Sequence, residues 1–331
     1  MNEAKKRIIA RLAILVVAVL LLAIGFVGNY LVSFAICRSS DAGSAVSNSL
    51  TVTTDPRQKR SEEQGNANKK RLRAEGDMWD KATPSERKTI LTADGLKLQG
   101  FIHRQPHAEH RWCISIHGYG CDHTYMNYLS QQYFLHGYNV LSPDLRASGS
   151  SQGKYIGMGW LERRDILQWI DTIVKHDPKA MIVLHGVSMG AATVMMVSGE
   201  RLPPNVKACI EDCGYSSIWA QFVNKLHSMY GLPPFPLLHV ANGIAKLRAG
   251  YYFSDGDCVT QLHRNKTPML FIHGSADDYV PYSMLQAVYR ANACADKQML
   301  VIPRARHAMA CYNAPDTYWH TVWQFVDKRV E

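Results

Sequence analysis

The stretch Leu184–Ala192, LHGVSMGAA, places Ser188 between Gly186 and Gly190. The apolar run MIVLH (Met181–His185) precedes it, and AATVMMVSGE (Ala191–Glu200), compatible with a helix, follows. A polar hydroxyl at a sharp turn between strand and helix needs an explanation. The G-x-S-x-G pattern supplies one: the glycines let neighbouring backbone approach, and the turn thrusts the serine out at the carboxyl end of the strand. The helix starting at Met189 then points its first amide groups at the same spot. The pattern alone recurs by chance, and the strand and helix flanking it give it weight.

Outward from this turn the chain alternates strand and helix. Candidate strands are Trp112–Ile116, Tyr138–Ser142, Ala180–His185, Val206–Glu211, Pro268–His273 and Gln298–Pro303. Candidate helices are Tyr125–His136, Trp160–His176, Met189–Glu200, Tyr282–Arg290 and Tyr318–Val330. Such alternation predicts a mostly parallel sheet flanked by helices. Ala93-Asp94-Gly95, between Arg87–Thr92 and Leu96–His103, predicts an antiparallel hairpin ahead of it. From Gly214 to Asn265 the alternation stops, and a small helical cap at about 214–266 is expected there.

A serine hydroxyl needs a base to attack at neutral pH, and that base needs an orienting acid. Both occur downstream. Asp277 lies at the tip of the strand Phe271-Ile272-His273, and His307 lies in the loop after the last strand. Asp278 and Asp212 are rival acids. His117-Gly118-Tyr119-Gly120 ends the Trp112–Ile116 strand. Its Tyr119 amide, with that of Met189, would give the two donors that an oxyanion requires.

Residues 86–331 resemble an α/β-hydrolase of the serine esterase and prolyl-oligopeptidase-like branch. The resemblance rests on HGYG, PDLRASGSS (Pro143–Ser151), GVSMG, HGSADDYVP (His273–Pro281) and the ARHA loop at His307. It implies Ser188 as nucleophile, Asp277 as acid, His307 as base, and an oxyanion hole at Tyr119 and Met189. The spacing of Gly274 to Asp277 matches the family and favours Asp277 over its rivals. One departure is Ala147, where the family's Asp-x-Arg-Gly loop has glycine; a local structural effect is expected. GNYLVSFAI (Gly28–Ile36), YIGMGWLERRDILQWI (Tyr155–Ile170) and IEDCGYSS (Ile210–Ser217) are similar to a bacterial subgroup of exported, membrane-anchored α/β-hydrolases. The activity implied is cleavage of carboxylic esters. An amidase or peptidase with the same residues is the alternative, and a non-catalytic binding protein a more distant one.

The N-terminal region carries the rest of the prediction. Leu12–Val27 is apolar throughout, and apolar character continues past Asn29 and Ser33 to Cys37. About 20 such residues cross a bilayer core as a helix. Lys5, Lys6, Arg7 and Arg11 precede the run, which keeps the N-terminus cytoplasmic and the catalytic domain outside. Residues 1–38 are therefore read as a cytoplasmic stub and a single-pass anchor in the cell membrane. Secretion after cleavage near Ser33-Phe34-Ala35 is the competing reading. Cys37 follows the bulky Ile36 and is a poor lipidation site. Residues 39–85 are polar and charged and read as a linker.

The chain has 331 residues and a net charge of +9. The excess basic residues sit before the anchor and in the linker, without the aromatic interleaving of a nucleic-acid surface. Eight cysteines show no CxxC pair or zinc spacing. Cys209 and Cys213, on one strand, would stand roughly 13 Å apart, too far for a bridge. No disulfide is assigned, and no metal, nucleotide or redox cofactor is expected.

Overall fold

The computed structural model describes residues 3–38 and 53–330. Its centre is an eight-stranded sheet: β1 (Ser85–Leu91), β2 (Lys97–His103), β3 (Arg111–Ile116), β4 (Asn139–Pro143), β5 (Met181–Val187), β6 (Val206–Asp212), β7 (Met269–Gly274) and β8 (Lys297–Ile302). The spatial order is β1-β2-β4-β3-β5-β6-β7-β8. β1 pairs antiparallel with β2, and β2 with β4; every later pairing is parallel. The hairpin turns at Gly95, whose φ of 83° suits a residue without Cβ. Strands β3 to β7 are buried on both faces, as parallel strands covered by helices must be. Alternation sorts their side chains into two cores: Ile182 and Leu184 of β5 face one side, Val183 the other.

The helices that cover the sheet fall close to the expected positions. They are α3 (Asn127–Leu135), α4 (Glu162–His176), α5 (Met189–Ser198), α9 (Tyr282–Ala291) and α11 (Pro315–Asp327). A 3₁₀ turn, His123–Met126, precedes α3. α11 starts three residues before Tyr318 because Pro315 seats at its first turn, where a missing N–H costs nothing. Between β6 and β7 lie α6 (Ile218–Tyr230), α7 (Leu237–Ala249) and the short α8 (Cys258–Leu262). Ser217 caps α6 through the Ala220 amide, and left-handed Gly231 and Gly250 close α6 and α7. The four-residue α10 (Ala310–Asn313) follows the loop after β8. All eight cysteines are free.

Two helices lie ahead of the sheet. α1 (Glu3–Ile36) has 34 residues, about 51 Å at 1.5 Å per residue, long and apolar enough to cross a bilayer. Its apolar side chains from Ile8 to Phe26 are exposed, whereas Gly28, Val32 and Ile36 are buried against the body. These three recur every four residues and form one stripe. A Cβ on Gly28 would stand 2.9 Å from Val240 Cγ1, so glycine is what lets α1 and α7 approach. Asn29, Ser33 and Cys37 form the adjoining stripe. The Arg248 guanidinium donates to Asn29 Oδ1 (2.7 Å) and Ser33 Oγ (2.8 Å) and reaches Cys37 Sγ at 3.4 Å. The polar residues that interrupt the apolar run are therefore a docking seam. After α1, Ile36 O accepts from the Ile156 amide and the Arg38 amide donates to Lys154 O.

The second helix, α2 (Pro56–Ala82), corrects the linker reading of residues 39–85. Residues 39–52 lie outside the described part. Asp55 accepts from the Arg57 amide and Pro56 opens the helix. Its buried stripe is Gly65, Leu72 and Gly76. A Cβ on Gly65 would lie 2.5 Å from Asn313 Oδ1, and one on Gly76 2.5 Å from the Tyr128 amide nitrogen. Polar residues complete the contact: Asn68 Nδ2 donates to Tyr312 O (3.0 Å), Asn313 Nδ2 to Ser61 Oγ (2.8 Å), and Arg306 pairs with Glu62 (2.7 Å). A face of glycines and amides lacks the apolar period that marks a docked helix in a sequence.

Candidate active site

Ser188 sits between β5 and α5, with φ 59° and ψ −116°. A non-glycine residue held in that region is strained, and the surroundings must hold it there. They do so closely. A Cβ on Gly186 would meet Gly190 O at 2.2 Å, and one on Gly190 would meet Ile116 O at 2.0 Å. The Ser188 amide donates to Asp212 O at 2.8 Å, locking the turn to the end of β6. The hydroxyl is thus carried on the sheet's carboxyl edge, beside the first turn of α5.

The loop after β8 brings His307 to this hydroxyl: Nε2 lies 2.8 Å from Ser188 Oγ. On the other side of the ring, Nδ1 lies 2.8 Å from Asp277 Oδ2. An ionised Asp277 accepts only, so Nδ1 carries the proton and Nε2 is left to accept from the serine. The Asp277 side chain is fully buried, and Oδ1 accepts from the amides of Tyr279 (3.0 Å) and Val280 (2.8 Å). Burial alone would raise its pKa. The charge of His307 and hydrogen bonds from His273 and His307 outweigh that and hold the carboxyl well below its ordinary value. This arrangement can take a proton from Ser188 while keeping the imidazole in one tautomer.

The rival acids are engaged elsewhere. Asp278 accepts from Arg306 at 2.6 Å, and Asp212 accepts from the Tyr318 hydroxyl at 2.9 Å. Burial raises Asp212 to about 6. Tyr318 in turn lies 2.9 Å from His185 Nε2, and Tyr133 lies 3.1 Å from His185 Nδ1. Since Tyr318 donates to Asp212, His185 donates through Nε2 and accepts at Nδ1. Burial lowers its pKa to about 3, and the neutral ring props the sheet behind Ser188.

Gly118 packs against Ser188, 3.3 Å from its Cβ measured from an added methyl position. Tyr119 follows directly and lines the same cleft as Ser188, and Met189 is the first residue of α5. A first-turn amide has no acceptor within its own helix. Cys213, Asp277 and His307 each bring one potential metal-ligand atom within 4.8 Å of the others. Burial drives the Cys213 thiol's pKa far upward.

Some contributors were not anticipated. His273 lies 3.3 Å from Asp277 Oδ2 and 2.9 Å from Val280 O, and so helps fix that carboxylate. Its place four residues before Asp277 was the available signal. Lys69 and Arg73 of α2 line the cleft at Ser188, as does Arg38. The Tyr119 hydroxyl donates to Ala35 O of α1 at 2.8 Å. Ala147, at the site's edge, has φ 59° and is buried. Left-handed backbone costs an L-residue about 1–2 kcal/mol. Ala147→Gly is therefore expected to stabilise the fold by up to about 1 kcal/mol after glycine's own entropy cost, read as a higher urea midpoint at unchanged slope.

The comparisons bear on the family and the fold. The family model described as "Serine aminopeptidase, S33" matches residues 107–243 and 249–311. Uncharacterized protein YqkD of Bacillus subtilis is 31% identical over 244 residues, covering 72% of this chain and 78% of that protein. Among solved structures, the Pyrococcus furiosus esterase Pf2001 superposes with TM-score 0.64 at 23% identity, over 76% of this chain and 94% of its own. The Pyrococcus horikoshii acylaminoacyl peptidase does so with TM-score 0.57 at 15% identity, over 77% of this chain and 43% of its own. With a strained serine between two indispensable glycines and a family match over most of its sheet, this chain belongs to the serine aminopeptidase S33 family of α/β-hydrolases.

Proposed function

We propose that the protein is a serine hydrolase that cleaves carboxylic esters through an acyl-enzyme. Ser188 attacks the ester carbonyl, His307 takes its proton and returns it to the leaving alcohol, and Asp277 orients and stabilises the imidazole. The amides of Tyr119 and Met189 hold the oxyanion. Water then repeats the sequence and releases the acid. The observation that carries this reading is the unbroken hydrogen-bonded line Ser188–His307–Asp277, with both links at 2.8 Å.

The second reading is a peptidase with the same residues, favoured by the family description and by the acylaminoacyl peptidase likeness. An aminopeptidase must hold a free ammonium close to its nucleophile. The cleft here is lined by Arg38, Lys69 and Arg73 against one carboxylate, Asp122, which supports an ester substrate instead. We further infer that α1 is a retained membrane anchor with the catalytic domain outside. The basic residues before α1 and its exposed apolar surface support this. Cleavage after Ala35 would remove Gly28, Val32 and the Arg248 seam, all packed into the domain.

The test compares p-nitrophenyl butanoate with aminoacyl p-nitroanilides on the full chain, alongside labelling by a fluorophosphonate. Faster turnover of the ester, with the label on Ser188, is the expected result. Preference for the anilides would move the assignment to a peptidase, and absence of label on Ser188 would end it.

A further inference from the structure

The cleft at Ser188 has a neighbouring cavity under the cap. It lies between the last turns of α1 and the cap, walled by Leu31 and Phe34 on one side and by Phe222, Leu226 and Leu238 on the other. Counting the part open to solvent, its space is about 810 Å³. Tyr119 and Tyr279 line both cavities, so the apolar one begins where the Ser188 site ends. Gln221 and Lys225 are both turned to that junction. Gln221 donates to Tyr279 O at 3.1 Å, and the Lys225 ammonium lies 3.7 Å from the centre of the Tyr279 ring. Apart from the hydroxyls of Tyr119, Tyr230 and Tyr279, the remainder is apolar. The wall supplied by α1 is fixed, since Arg248 clamps its polar stripe and Tyr119 bonds to its last turn.

The opposite end of the cleft has different chemistry. Lys69 and Arg73 are one turn apart on α2 and both line it. Like charges at that spacing repel. Neither forms an ion pair among the described residues; Lys69 lies over the Tyr312 ring and Arg73 over the Tyr125 ring. Burial, then the Arg73 charge, lower the Lys69 pKa. The one carboxylate lining this end, Asp122, has Oδ1 taken by the Thr124 amide and hydroxyl. Two partly buried cations with no acid paired to them make a place for an anion.

We propose that the substrate is an amphiphile: a long-chain acyl ester of an anionic alcohol, with its chain between α1 and the cap, its ester carbon at Ser188 and its anionic group against Lys69 and Arg73. The assignment rests on Ser188 being the acylated nucleophile. In the first step the Ser188 Oγ–acyl bond forms and the ester C–O bond breaks. The serine proton passes through His307 Nε2 to the leaving oxygen, and the anionic alcohol departs. Water then supplies the hydroxyl that frees the fatty acid.

The experiment uses the full chain in nanodiscs of ether-linked phosphatidylcholine, which offers no ester to cleave. The p-nitrophenyl esters run from acetyl through butanoyl and octanoyl to dodecanoyl, and dodecanoylglycerol is compared with its 3-phosphate. kcat/KM should rise along the series by up to about fourfold per methylene buried. Leu31→Trp and Leu226→Trp, one from each wall, should each cut the dodecanoyl rate by about tenfold or more while leaving the acetyl rate within about twofold; the acetyl rate also reports folding. The phosphate-bearing ester should be preferred by about tenfold, and Lys69→Gln or Arg73→Gln should erase most of that. A flat or falling wild-type chain-length profile, equal losses at all chain lengths in both tryptophan variants, or indifference to the phosphate would overturn the proposal. A fluorophosphonate separates the two levels. If it labels Ser188 while selectivity is absent, the substrate class fails alone; without that label, the hydrolase reading fails with it.

Discussion

Ser188→Ala is expected to lower kcat for ester hydrolysis by roughly 10⁵–10⁶-fold, with the thermal midpoint nearly unchanged. The size follows from what is removed. In the proposed mechanism the hydroxyl is the atom that forms the acyl-enzyme, and it is the group 2.8 Å from His307 Nε2. What remains is binding and oxyanion stabilisation, which still accelerate direct attack by water. Stability should hold because alanine suits the φ of 59° no better and no worse than serine does. The hydrogen bonds that lock the turn are made by the backbone: Ser188 N to Asp212 O, and Ala192 N to Ser188 O. Turnover of p-nitrophenyl butanoate by the variant, corrected for background, decides the matter. A loss of less than about 10²-fold in a folded protein would mean that Ser188 does not carry the acyl group.

The second large effect is expected from Asp277→Asn, at roughly 10⁴-fold in kcat with KM little changed. An asparagine can present an N–H to His307 Nδ1. That turns the ring to the tautomer with its proton on Nε2, which faces the serine with a donor where an acceptor is needed. Asp278→Asn is the comparison. It removes the charge of the ion pair with Arg306 at 2.6 Å, and it should leave kcat within severalfold. Equal losses in the two would reject Asp277 as the orienting acid. A pH signature accompanies this. The folded-state pKa of Asp277 lies below the ordinary carboxylate value. Its charge therefore stabilises the fold above about pH 3.9, and that contribution is lost as the pH falls through and below that value. Wild type should lose stability over this acid window more steeply than the asparagine variant.

How much of this could be read from the chain varies by region, for physical reasons. The β5–Ser188–α5 turn was legible because its glycines are demanded by contacts within a few residues of sequence and by the neighbouring strand. The parallel strands were legible as short apolar runs, and the acid and base through their places at strand ends. α2 was not. It docks through Gly65, Gly76 and side-chain amides, residue types that elsewhere mark a flexible linker. With it went Lys69 and Arg73. The second role of α1 was equally hidden, because Asn29, Ser33 and Cys37 acquire a meaning only beside Arg248, more than two hundred residues later. His273 showed no role in the sequence because its partner, the buried face of Asp277, exists only once β7 and its loop are in place.

The seam between α1 and α7 changes what kind of kinetics the protein should obey. A hydrolase on a slack leash samples substrate in three dimensions, and its rate follows bulk concentration. Here the helix is bolted to the domain by Arg248 and ends in the wall of a cavity that adjoins Ser188. If α1 spans a bilayer as proposed, the docked domain is held close to the lipid surface. Catalysis then becomes a two-dimensional encounter. Its rate depends on the mole fraction of substrate in the leaflet, and inert lipid slows it by dilution while the amount of substrate in the tube stays the same.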